Sequence, residues 1–134
     1  MAELTCIVVT PEQTVCETTA DFVAVTLFDG EIGIGPGHTP LIGRLGYGEM
    51  RIRRGEQVER FYVEGGFVEV ADDVVSLLTN RAIAADKIDE QAAYRQMETA
   101  RSQTAHAPAV MAAREQAVAQ ARAQLRVVRR ADVP

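Results

Sequence analysis

The sequence predicts an α+β chain: an N-terminal antiparallel β-sandwich or flattened barrel, followed by a C-terminal antiparallel hairpin of two helices. Three observations carry this. The first 80 or so residues fall into short runs rich in β-branched side chains, with turn signals between them. Residues 82–130 contain no Gly and are crowded with the helix formers Ala, Gln, Arg and Glu. Pro108 divides that second stretch in two. The expected division is residues 1–84 as the sandwich and 85–134 as the helical hairpin.

In order along the chain, residues 4–10 form the first predicted strand, stopped by Pro11. Residues 21–28 are apolar on both faces, as in a strand packed between two layers. Asp29-Gly30 supplies turn chemistry before a strand over 32–34. Residues 49–54 alternate, with Met50 and Ile52 pointing one way and Arg51 and Arg53 the other. A turn through Gly55 leads to a strand over 57–64, Gly65-Gly66 interrupts it, and 67–70 resumes. Asp72-Asp73 reads as a further hairpin turn into 74–79. Strands this short and evenly spaced imply a sandwich or barrel.

The helices are expected at roughly 87–103 and 108–129, joined by a short turn. Asp86 or Asp89 can cap the first, with Glu90 in its first turn, and Pro108 suits the first turn of the second. Their apolar stripes are thin. Ala117, Ala121, Leu125 and Val128 follow helical spacing on the second helix, with Val110 and Val118 beside them. The first offers little beyond Ala93, Met97 and Ala100. A buried Leu or Val contributes about 1.5–3 kcal/mol and Ala much less, so weak docking onto the β body is expected. Such a hairpin is either an ordinary surface element or one that can detach.

Apolar residues make up 47% of the 134, enough to bury a core, and the net charge is −5. That charge is uneven: residues 1–85 carry 6 basic against 13 acidic groups, and residues 86–134 carry 8 against 6. An acidic body with a basic tail suits a tail that meets an acidic surface. No run approaches the roughly 20 apolar residues that span a bilayer, so direct membrane insertion is not expected. The N-terminal run lacks the basic region of a signal peptide. Cys6 and Cys16 match neither a disulfide framework nor a metal pattern and read as free thiols.

No catalytic constellation emerges. Residues 31–38, EIGIGPGH, place His38 where a dinucleotide fingerprint needs Gly, and no helix follows. Ser occurs only at 76 and 102, outside any nucleophile elbow. His38 and His106 are the only imidazoles and lie in different halves. The Arg residues of the tail have no interleaved aromatics, which argues against nucleic acid. No cofactor is expected.

Residues 30–41, GEIGIGPGHTPL, match the pattern G-E-x-G-x-x-P-G-H-x-P-L; residues 62–70, YVEGGFVEV, carry paired glycines before an apolar strand; residues 123–127 read AQLRV. With the β-then-αα layout, these resemble the epsilon subunit of F-type ATP synthases, called delta in mitochondria. The resemblance implies a non-catalytic subunit of the central stalk, peripheral on the cytoplasmic face of the bacterial inner membrane. Its sandwich would contact gamma and the c ring and help couple rotation to ATP synthesis. Glu31 corresponds to the family's contact with the c-ring loops, and His38 lies in the region associated with the stalk interface. The helical part would restrain ATP hydrolysis, its basic face of Arg114, Arg122 and Arg126 meeting acidic segments of the catalytic alpha/beta head. Some members bind ATP through Ile/Leu-Asp, two residues, Arg-Ala. Here Ile88, Asp89 and Ala93 remain, but Ala92 stands in place of Arg. The competing reading is a free-standing small β-barrel enzyme or ligand-binding module with a helical tail.

Overall fold

The computed structural model describes residues 3–102 and 107–131. Ten strands are followed by two helices: β1 Leu4–Val9, β2 Thr14–Ala20, β3 Phe22–Leu27, β4 Gly30–Ile34, β5 Leu41–Arg44, β6 Tyr47–Arg54, β7 Gln57–Glu64, β8 Phe67–Ala71, β9 Val74–Leu78, β10 Ala82–Ala84, α1 Glu90–Ser102 and α2 Pro108–Ala131. One tight turn, Ala85–Lys87, links β10 to α1. The expected sandwich is present as two five-stranded sheets, ordered β2-β1-β9-β8-β5 and β10-β7-β6-β3-β4. Their facing sides form one core through Leu4, Val23, Val25, Ile34, Met50, Ile52, Val63, Val68 and Leu77.

One pairing departs from the antiparallel expectation: β1 runs parallel to β9, with Cys6 opposite Val75. Parallel neighbours need a long crossover, and here the intervening chain passes through the second sheet before returning. Three strands were not anticipated. β2 is an edge strand of mixed exposed and half-buried residues, β5 has four residues and β10 three. None offers the apolar alternation that marks a half-buried strand.

The turns follow from local chemistry. Asp72 and Asp73 both have positive φ, 51° and 61°, as the turn between β8 and β9 requires. Gly66 has φ 97°, and a Cβ there would sit 1.9 Å from the carbonyl oxygen of Leu78. Only Gly fits that approach. The β3–β4 turn falls at Phe28 and Asp29, one residue earlier than expected, because Leu27 pairs with Gly30.

At the start of α1 it is Asp89, not Asp86, that caps: its Oδ1 accepts the amide of Ala92 at 3.0 Å. Pro108 opens α2 as anticipated. The expected joining turn between the helices, including His106, lies outside the described residues. α2 packs across β6 and β7, on the outer face of the second sheet.

Candidate functional site

The hairpin meets the sheet through a small apolar pad. Tyr62 is fully buried and clusters with Ala123 and Val127, flanked by Tyr47, Ile83, Ala85 and Ile88. Ala123 and Val127 are four residues apart and share one helix face. This is not the stripe expected from the sequence. Ala117 in that stripe accepts a hydrogen bond at its carbonyl from Gln96 Nε2 of α1, at 3.3 Å. Ala117 also lines a groove with Gln96 and Ala100 of α1, so this end of the stripe lies at the seam between the helices, where Ala93 and Ala100 of α1 are buried. Tyr62 Oη donates to Glu64 Oε1 at 2.7 Å. Burial first, and then that hydrogen bond, push its phenol well above the ordinary tyrosine range.

Beside the pad lies a charge network. Glu49 on β6 is 5% exposed. Its Oε1 accepts Arg51 Nη1 at 2.8 Å, and its Oε2 accepts Arg60 Nη2. The same Arg60 nitrogen donates to the carbonyl of Val127 on α2 at 3.4 Å. Arg51 Nη2 also donates to Glu31 Oε1 at 2.6 Å. The hydrogen bond to Glu49 is the main reason the Arg51 guanidinium lies above its usual value. Glu31 stands on the edge strand β4, which starts two residues before the strand expected over 32–34, and is exposed at one end of this network.

His38 is half-buried in the β4–β5 connection, with Nδ1 2.7 Å from the carbonyl oxygen of Thr39. That connection is tethered by Asp73, whose Oδ1 accepts the amide of Gly37 at 2.7 Å. Glu31 and His38 are not joined by any hydrogen bond found among the described residues.

The three arginines of the expected basic face divide. Arg114 and Arg122 line one groove with Arg101, Met111, Glu115 and Val118. Arg114 donates to the carbonyl of Arg101 at 3.2 Å, which ties it to the helix seam. Arg126 instead borders a shallow groove with Thr26, Tyr47, Glu49 and Val127. Arg122 and Arg126 are exposed. Of the nucleotide-motif remnant, Asp89 is the cap, Ile88 packs beside the docking pad and Ala93 is buried in the seam.

The outer face of the first sheet carries exposed apolar side chains. Arg44 pairs with Phe67, Phe67 with Leu78, and Leu78 with Val9, so this row projects to one side. Phe67 and Leu78 are each 57% exposed; Ile42, on β5 opposite Glu69, is 74% exposed, and Phe28, in the β3–β4 turn of the second sheet, 67%. The Arg44 guanidinium lies 5.9 Å from the centre of the Phe28 ring. This row was not read from the sequence, because it exists only once the four strands are in register. Among the described residues no helix is long and apolar enough to cross a membrane.

Fold and site together define a two-sheet β-sandwich with a helical hairpin laid on the outer face of one sheet and exposed apolar side chains on the other. Residues 3–85 match the family model for the ATP synthase, Delta/Epsilon chain, beta-sandwich domain. The epsilon chain of the Rhodopirellula baltica ATP synthase is 45% identical over 124 residues, covering 92% of this chain and 97% of that one. The Leptospira borgpetersenii epsilon chain is 40% identical over 85 residues, 63% of this chain and 67% of that one. A chain in the cryo-EM structure of the Euglena gracilis mitochondrial ATP synthase, OSCP/F1/c-ring, shares the fold, with a TM-score of 0.82 at 21% identity over 91% of this chain and 79% of that one. The chain belongs to the ATP synthase delta/epsilon chain family. Its place is that of a non-catalytic stalk subunit, and the reading as a free-standing β-barrel enzyme or ligand-binding module has no support.

Proposed function

We propose that the sandwich seats this chain in the central stalk of a proton-translocating ATP synthase, against gamma and the c ring, and that the hairpin restrains ATP hydrolysis. The observation that carries the reading is the likeness to an epsilon chain over 92% of the sequence, which takes in the hairpin as well as the sandwich. Two physical features support it. The exposed Phe67 and Leu78, which face each other across β8 and β9, together with the exposed Ile42 and Phe28, are large apolar side chains of the kind that mark a protein contact, and gamma is their proposed occupant. The hairpin is held by few large apolar side chains, so leaving the sheet costs little, and its exposed Arg122 and Arg126 suit an acidic surface on the catalytic head.

In this scheme Glu31 faces the polar loops of the c ring from the edge of the second sheet, and His38 belongs to the same stalk-facing region. The chain rides with the stalk as a peripheral component on the cytoplasmic face of the bacterial inner membrane. The nucleotide motif is incomplete, and Asp89 is engaged as a helix cap, so regulation does not run through ATP bound to the free subunit.

Retrieval of tagged protein from cell extracts tests the assignment. Gamma and the catalytic head should come with it. Truncation before Ile88 should leave that association intact and raise ATP hydrolysis. Recovery of the chain alone from extracts rich in synthase would reject the assignment.

A further inference from the structure

A line of charged groups crosses the outer face of the second sheet from its open edge to the underside of α2. It begins at Glu31 on β4, whose side chain is 44% exposed. It passes through Arg51 on β6, 29% exposed, to Glu49, 3% exposed, and on to Arg60 on β7, 18% exposed. It ends at the Val127 carbonyl of α2, 3.4 Å from Arg60. The group at the edge is thus the most exposed, Glu49 in the middle is the most buried, and Arg60 under the helix is less exposed than either Glu31 or Arg51.

Register makes the links interdependent. Arg51 and Arg60 are directly opposite one another in the β6–β7 ladder, and Glu49 is opposite Tyr62. Two like charges in facing positions repel. The repulsion here is offset by Glu49, which stands diagonal to Arg60 and binds both guanidinium groups. Glu31 supplies the second negative charge, so the two arginines share two carboxylates, and only Glu49 serves both. Whatever engages Glu31 changes how strongly Arg51 leans on Glu49. That in turn changes what remains of the Glu49 carboxylate for Arg60, the residue that holds the last part of α2.

We infer that Glu31 at the sheet edge and the docked position of α2 are energetically coupled through Arg51, Glu49 and Arg60. The inference rests on the proposed reading of Glu31 as a partner-facing acid and of the hairpin as a movable element. Its content is the link between them. A cationic or hydrogen-bond-donating partner group that draws the Glu31 carboxylate away from Arg51 returns Arg51 to Glu49, weakens the hold of Arg60 on Val127, and loosens the hairpin. By linkage, loosening the hairpin makes Glu31 correspondingly more available to such a partner.

Amide hydrogen exchange on the full-length free chain tests this, with peptides covering residues 121–128 as the readout. Glu31→Gln keeps the side-chain shape and removes its charge. It should speed exchange in α2 roughly two- to fivefold at low salt, the scale of a partly exposed ion pair, and leave peptides from β8 and β9 unchanged. In an Arg51→Met background, where Glu31 has lost its link to Glu49, the same substitution should be silent. Equal exchange in wild type and Glu31→Gln, an equal acceleration in both backgrounds, or an acceleration spread over β8 and β9 would each overturn the inference. No synthase is present in this measurement, so its failure leaves the stalk assignment standing, and the retrieval experiment can fail without touching it.

Discussion

Arg60 on β7 donates to the carbonyl of Val127 on α2, 3.4 Å away, from the same nitrogen that binds the buried carboxylate of Glu49. This is a polar tie between the sandwich and its hairpin, made at the last part of a helix, where carbonyl groups favour a cation. Beside it the apolar contact is small, centred on Tyr62, Ala123 and Val127. The balance suits a joint that is specific in register but modest in strength. A buried ion pair adds little net stability, and its best-attested role is to specify an arrangement.

Tyr62 reports on that joint. Burial, the largest cause, and its hydrogen bond to Glu64 raise its phenol above the ordinary range. The folded value lies above the unfolded one, so the associated stability is fully present below about pH 10 and is lost as pH rises beyond it. Absorbance titration should show one of the three tyrosines failing to ionise until the protein unfolds in alkali. In a chain truncated before Ile88 the cover from α2 is gone, and that tyrosine should titrate much closer to pH 10. Identical curves for the two forms would mean that the helix does not cover Tyr62 in solution.

The two thiols should be slow. Cys6 is buried and its thiol is pushed up to about 12, chiefly by burial. Cys16 is half-buried and also raised, by the same cause first. Alkylation at pH 8 should leave Cys6 nearly untouched in the native chain and modify both residues in denaturant, because only the thiolate reacts. Cys6 pairs with Thr18 and Cys16 with Val8, so the two cysteines are diagonal neighbours. Diagonal Cα separations of about 7–8 Å exceed the usual disulfide range. Mass analysis after air oxidation should find no internal disulfide.

Much of the fold is legible in the sequence. The alternation of Met50 and Ile52 against Arg51 and Arg53 placed β6 correctly, and Asp72-Asp73 gave its turn. β2 was hidden because TVCETTA is an edge strand with few apolar groups, and a three-residue strand such as β10 has no period to read. The site was harder. Val127 belongs to the AQLRV run, but its partner Tyr62 lies 65 positions upstream in a different element. Burial of Glu49 depends on α2 lying over β6, which no local pattern encodes. The stripe through Ala117 was a genuine helix face. Composition does not distinguish a face that meets another helix from one that meets a sheet.

Two glycines should behave differently when replaced. At Gly66 both φ and the carbonyl of Leu78 oppose a side chain, and that carbonyl is backbone that cannot step aside. Gly66→Ala should cost about 3 kcal/mol or more, visible in urea unfolding or as loss of soluble protein. Gly55, at φ 60°, has nothing within 4 Å of an added Cβ. Gly55→Ala should cost only the left-handed penalty of about 1–2 kcal/mol.

Nucleotide binding by the free chain should be weak or absent. Ala92 offers no cation for a phosphate, and its backbone amide is already bound to Asp89 at 3.0 Å. Calorimetry with ATP should give no micromolar site, whereas a clear one would mean that Arg95, exposed one turn along, takes the role. Asp89→Ala should destabilise the first helix by about 0.5–2 kcal/mol through loss of the cap, whether or not ATP is added.

The arginines of α2 should not contribute equally to restraint of hydrolysis. Arg114 is held against the Arg101 carbonyl in the hairpin seam, so its replacement acts on the hairpin itself. Arg122 and Arg126 are exposed and are free to meet an acidic partner once the hairpin moves. In the assembled enzyme, Arg122→Ala with Arg126→Ala should therefore raise ATP hydrolysis more than Arg114→Ala does. Each exposed pairing contributes at most about 1 kcal/mol, so the double change should give roughly a several-fold rise at low salt. The gap between variant and wild type should narrow as salt screens the attraction, the Debye length falling from about 10 Å at 0.1 M to about 3 Å at 1 M. ATP synthesis should change less than hydrolysis, because the proposed coupling contacts lie on the sandwich. Equal hydrolysis rates for wild type, the double variant and the truncated chain at every salt concentration would show that the hairpin is a structural brace and not a restraint.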